Sequence, residues 1–186
     1  MRETGAIWAG LISLRACKLL QVGFAVTVVA LALLLPPGSR EDLLTQSVLA
    51  AGPAQARVFA EASLFPLASA LAYSFTLTAA PIGAIAMCLS RAYVKELRAI
   101  LVGGQSISSR VIFTLAAFLV LFLPYFVEAR PYPTQMSAHV IAAVGQSRLL
   151  LAVFCIALYL PLLGLTFWVL FEATNLVRAV VATNRA

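Results

Sequence analysis

The sequence predicts an all-α membrane protein with four transmembrane helices, and three observations predict it. Of 186 residues, 62% are hydrophobic and 11% charged, with a mean hydropathy of +0.99; soluble domains carry about a quarter charged residues. Four stretches free of charged residues approach or exceed the roughly 20 residues that cross a bilayer: Leu19–Pro36, Ser63–Ser90, Val111–Val127 and Leu149–Phe171. The polar segments between them are too small for an independent domain, so residues 1–186 read as one polytopic membrane domain.

Before the first span, Trp8, Leu11, Ile12 and Leu19 fall at near-helical spacing, with Arg15 and Lys18 toward another face. Arg15 and Lys18 interrupt any signal-peptide core, and no small-residue cleavage site precedes Leu19. The segment reads equally as an N-terminal interfacial helix or as a helical extension of the first span. The second run spans ~40 Å at the helical rise, longer than the hydrocarbon, so it must tilt, bend or project. Pro66 and Pro81 offer bends in it, as Pro161 does in the fourth run. Loop one, Pro37–Glu61, carries Leu43, Leu44, Val48 and Leu49 at helical intervals. It predicts short helices on the outer surface, divided near Gly52-Pro53. Loop three, Glu128–Arg148, contains Pro131-Tyr132-Pro133, which disfavours both helix and sheet interiors.

Orientation follows from the basic residues. Arg2, Arg15, Lys18, Arg91, Lys95, Arg98, Arg110, Arg178 and Arg185 share one side of a four-span arrangement, nine of the 13 Lys and Arg. Arg40, Arg57, Arg130 and Arg148 occupy the other. The positive-inside rule then places both termini in the cytoplasm.

Several functions are disfavoured by what the spans omit. No acidic residue, Lys, Arg or His interrupts any of the four runs, whereas ion-coupled carriers use intramembrane charge as their working part. His139 is the sole histidine, and Cys17, Cys88 and Cys155 form no metal-spaced set. Neither a phosphate-binding glycine loop nor a Ser/His/Asp set is present. The expectation is a protein that is not an enzyme and carries no cofactor or metal, with membrane lipid and other membrane subunits as partners and no nucleic acid. Ala79 with Gly83, and Ala80 with Ala84, are spaced to let the second span approach a neighbour, although alanine-rich segments give such spacings by chance.

The most informative stretch is Ser90–Arg110. Tyr93, Leu97, Ile100 and Leu101 share one helical face, and Arg91, Lys95 and Arg98 share a second. Gly103-Gly104 would end the helix, and Ser106 or Ser108 would cap the third span. This describes a short amphipathic helix between the second and third spans. On physical grounds it is an anchor for anionic headgroups before it is a coupling helix for a cytoplasmic ATPase.

The loop resembles the one between the second and third spans of the permeases of the lipopolysaccharide exporter, the LptF/LptG (YjgP/YjgQ) family. The matching residues are Tyr93, Glu96, Leu97, Ala99, Leu101, Gly104 and Ser106, with Arg110 opening the third span. That family also has an N-terminal interfacial helix, where Met1–Lys18 sits here. Its members have further spans and a periplasmic β-jellyroll after the third; here only Glu128–Arg148 occupies that place. The resemblance implies a reduced permease subunit of an ATP-driven lipid or envelope transport complex in a bacterial inner membrane. It implies docking of an ATPase through Tyr93, Glu96, Leu97, Arg98, Leu101 and Gly104. Glu96 would pair with a basic residue of the ATPase groove, and Leu97 and Leu101 would anchor apolar contacts. The alternative is an accessory or scaffold subunit of a larger assembly, such as a secretion or conjugation machine or a respiratory or photosynthetic complex.

Overall fold

Proline and serine set most of the helix boundaries. A computed structural model describes residues 12–95 and 107–183, and all regular structure among them is helical. Helix α1 (Leu14–Leu34) begins where the Ser13 hydroxyl accepts the Ala16 amide at 3.1 Å, satisfying a donor that the first turn leaves free. It stops ahead of Pro36 and Pro37, with Leu35 extended at φ −65° and ψ 146°, as a residue before proline prefers. Helices α2 (Leu43–Ala51) and α3 (Ala54–Ala62) are divided at Gly52-Pro53, as the sequence predicts. Helix α4 (Pro66–Cys88) opens on Pro66, whose missing N–H costs nothing in a first turn. Residues 91–95 form a further helical turn, in which the Val94 amide donates to the Ser90 carbonyl. Helices α5 (Ile107–Phe126), α6 (Met136–Gln146) and α7 (Arg148–Thr183) complete the order.

Four segments are long and apolar enough to cross a membrane: Leu14–Leu34, Pro66–Cys88, Ser108–Phe126 and Arg148–Asn175. Three parts of the sequence reading are resolved by these bounds. Helix α1 takes in Arg15 and Lys18, which matches the helical extension of the first span, one of the two readings of Met1–Lys18; residues 1–11 of that segment lie outside the described residues. Helix α7 runs past Phe171 to Thr183, because Glu172 does not end it but pairs with Arg110 of α5. Loop three holds α6 beyond its proline-rich stretch.

Helix α4 is the axis. Half of its apolar window is buried, against 17% for α1 and 11% for α5. Its neighbours approach closely because its packed faces are small: Ala68 and Ala72 meet one core cluster, and Ala79, Ala80 and Ala84 meet the other. Gly83 lies within this stripe, where an added Cβ would stand 2.8 Å from both Leu163 Cδ1 and Tyr159 Oη of α7. The small-residue spacing noted in the sequence is therefore used for close helix approach.

One end of the bundle, here the capped end, is closed by α2, α3 and α6. Helix α3 does not lie on the surface as expected. Its Ala56, Val58, Phe59 and Ala60 are buried, and the Phe59 ring stacks on Tyr73 of α4 at 4.5 Å and tilts against Phe154 of α7 at 5.2 Å. The end of α6 presses on the chain leaving α3: the Leu64 amide donates to the Gly145 carbonyl at 2.9 Å. The Ser63 hydroxyl donates to that same carbonyl, and the Ser69 hydroxyl donates to Ser63 at 2.7 Å. A Cβ on Gly145 would stand 2.5 Å from the Ala62 carbonyl oxygen, so backbone contact requires glycine here.

Candidate functional site

The feature best formed for binding is a lateral cavity beside α4. Helix α5 packs on α7 and α3 but makes little contact with α4, and the gap is a cavity of about 620 Å³. That volume falls within the ~300–1,000 Å³ usual for ligand pockets. Leu77, Thr78 and Pro81 of α4, Phe118, Phe122 and Tyr125 of α5, and Leu162, Thr166 and Leu170 of α7 form the walls; Ala51, Gly52 and Pro53 close the capped end. The wall threonines offer no free donor, since Thr78 donates to the Ser74 carbonyl and Thr166 to the Leu162 carbonyl of their own helices. Such a cavity presents dispersion contacts to an apolar guest and little else.

Its width is set by contacts at the two ends of α5. Near the start, the Arg110 guanidinium makes a bidentate ion pair with the Glu172 carboxylate, with contacts of 2.6 and 2.7 Å to its two oxygens. Their side chains are 23% and 13% exposed, so both are largely withdrawn from solvent. One turn on, the Trp168 indole N–H donates to Thr114 Oγ1 at 3.1 Å, and Phe113 meets Trp168 edge-on. These contacts fix the antiparallel register of α5 and α7.

Toward the other end, the Tyr125 hydroxyl crosses to α4 and donates to the Leu77 carbonyl at 2.6 Å. Pro81 explains why that carbonyl is available: the amide that would occupy it is four residues on, and proline has none. Arg148 acts in the same way at the capped end. Pro37 cannot supply the Leu33 carbonyl of α1, and the Arg148 guanidinium donates to the Leu33 and Leu35 carbonyls at 2.8 and 2.6 Å. It also lies 4.6 Å over the Phe65 ring.

Of the six residues expected to contact a partner, Tyr93 is half-buried and packs against the main apolar core. Glu96, Leu97, Arg98, Leu101 and Gly104 lie outside the described residues. Lys95, the last described residue before them, is exposed. The sequence reading did not anticipate the cavity or its pins. Arg110 and Glu172 each flank an apolar run, a signal that pairs them once the third and fourth runs are taken as antiparallel. Nothing in the pattern marks Tyr125 as the partner of Leu77. Among the described residues no cluster of His, Cys, Asp and Glu is arranged to hold a metal.

No family model, no curated protein and no solved structure matches the chain.

Proposed function

We propose that the chain is a reduced LptF/LptG-like permease subunit that handles lipid within an ATP-driven envelope transport complex. The observation that carries this reading is the lateral apolar cavity between α4, α5 and α7, since a hydrocarbon chain is what the surrounding bilayer offers to such walls. The segment linking α4 to α5, from Tyr93 to Gly104, is where a cytoplasmic ATPase docks. A push on that segment moves α5 relative to α4 and changes the cavity's width. Arg110–Glu172 acts as the pivot, and the Tyr125 hydroxyl is the bond that opens. In this reading both termini are cytoplasmic in a bacterial inner membrane.

Pull-down from native membranes tests the docking. Glu96→Lys and Leu97→Asp should each abolish recovery of an ATPase at normal expression, whereas Lys95→Ala/Arg98→Ala should not. Intact assembly in both single variants removes the coupling role. Reporter fusions after Arg98 and after Ala186 should give one signal and a fusion near Gln135 the opposite one.

A second reading, an accessory subunit of a larger membrane assembly, is favoured by α5 itself. Its Phe118, Phe122 and Phe126 are 45%, 46% and 77% exposed, a ladder one helical turn apart that suits a neighbouring helix. Recovery at fixed stoichiometry with a redox or secretion complex, without an ATPase, selects that reading.

A further inference from the structure

We propose that the start of α1 is a binding site for one anionic phospholipid, with Arg15 and Lys18 on its phosphate and the outer face of α1 along its acyl chain. The inference rests on the chain crossing a membrane and is independent of the transport reading.

Leu14, Arg15, Lys18, Leu19 and Val22 line a shallow groove of about 360 Å³ at the first turns of α1. Both cations are exposed, and among the described residues no carboxylate pairs with either. At 3.6 residues per turn, Arg15, Lys18, Leu19, Val22, Val26 and Leu33 fall within an arc of roughly 100°. Leu19, Val22 and Val26 are 63%, 59% and 61% exposed, and Leu33 is 39% exposed, whereas Cys17, Val28 and Ala32 on the opposite face are buried in the bundle. A pair of cations thus heads a continuous outward apolar stripe. Leu19 to Leu33 covers about 20 Å at 1.5 Å per residue, more than the ~15 Å depth of one leaflet. A chain lying on the stripe can therefore stay in contact over its whole length while the phosphate remains beside the cations. Charge complementarity selects the occupant: two adjacent cations attract an anionic headgroup, and a zwitterionic one brings its own cation.

Native mass spectrometry of the full-length protein, titrated with phosphatidylglycerol or with phosphatidylcholine of the same chains, tests the site. The wild type should bind one phosphatidylglycerol preferentially, and Arg15→Gln/Lys18→Gln should lower that preference roughly thirty-fold. Arg130→Gln, which alters an exposed cation at the capped end of the bundle, should leave it unchanged. Both altered side chains are exposed, so the fold is retained, which circular dichroism verifies. A photoreactive benzoylphenylalanine in place of Val22 should form adducts with phospholipid. An unchanged preference in the double variant overturns the proposal. So does an equal loss in Arg130→Gln, which marks diffuse surface charge, or an adduct from position 22 to the chain's own residues 1–11.

Discussion

The two ends of the bundle carry charge in opposite ways. In the segments at the capped end, four arginines stand against the four carboxylates Glu41, Asp42, Glu61 and Glu128, and every one of those arginines has a partner. Arg57 pairs with Glu128, and Arg130 with Glu61 and Glu128. Arg40 donates to the Glu61 carbonyl and Arg148 to α1. At the other end Arg110 pairs with Glu172, while Arg15, Lys18 and Lys95 are exposed. Opposite charges in equal number tie the loops of the capped end to one another, whereas Arg15, Lys18 and Lys95 face outward, where a membrane surface or a partner can meet them.

If directed contacts close the capped end, the largest damage should come from its tightest one. Gly145→Val drives a branched side chain into the Ala62 carbonyl and displaces Ser63, and it should cost about 3 kcal/mol, read as a lower Tm in detergent. Arg148→Gln should cost about 2 kcal/mol, the value of hydrogen bonds from a charged donor, with partial recovery in Arg148→Lys. At the basic end the same kind of change should divide in two. Arg110→Gln strands the Glu172 carboxylate and should cost about 2 kcal/mol, below the range for a fully buried pair because both groups retain some exposure. Lys95→Gln should leave Tm unchanged. Equal sensitivity of Lys95 and Arg110 would dissolve the contrast between tied and available charge.

The smallest effect concerns pH. The Ser39 amide, 2.6 Å from Asp42 Oδ2, and the Ser39 hydroxyl hold the Asp42 carboxyl below the usual carboxylate range. A depressed pKa contributes stability above the unfolded value of about 3.9 and loses it as pH falls through the folded value. Asp42→Asn should therefore lower Tm slightly at pH 7, and the gap between variant and wild type should close in acid below about pH 4.

The four apolar runs were legible because a bilayer imposes a length and forbids charge. The Gly52-Pro53 break was legible because those residue types act locally, whereas the Ser13 cap was not singled out. What escaped was long-range or a matter of small side chains. Helix α3 reads as polar from Gln55, Arg57 and Glu61, yet alanines let it sink until Phe59 reaches Tyr73 and Phe154. Helix α6 was hidden behind Pro131 and Pro133, whose influence ends before Met136. The extension of α7 past Glu172 depends on Arg110, 62 residues earlier. The cavity arises from a contact that α4 and α5 fail to make, and an absence of packing leaves no mark on either helix's own pattern.

Gly38 sharpens the point about locality, because it is constrained from both near and far. Its φ of 64° lies in the left-handed region, natural for glycine, and an added Cβ would stand 2.6 Å from Leu67 Cβ. The local half of that constraint follows from a turn after two prolines; the other half belongs to α4.

The carbonyl released by Pro81 has a consequence for how the chain enters a membrane. A helix hairpin arriving one strand at a time would expose the Leu77 oxygen to hydrocarbon, where an unpaired backbone group costs several kcal/mol, until Tyr125 arrives from 48 residues downstream. Helix α4 is thus incomplete alone, and its insertion is thermodynamically linked to that of α5. The two positions should be epistatic: Tyr125→Phe harms a chain with Pro81, whereas in Pro81→Ala the restored amide takes the carbonyl and makes the hydroxyl dispensable. A double-mutant cycle on membrane integration should return a coupling of about 1 kcal/mol, and additivity would mean that the carbonyl finds another donor.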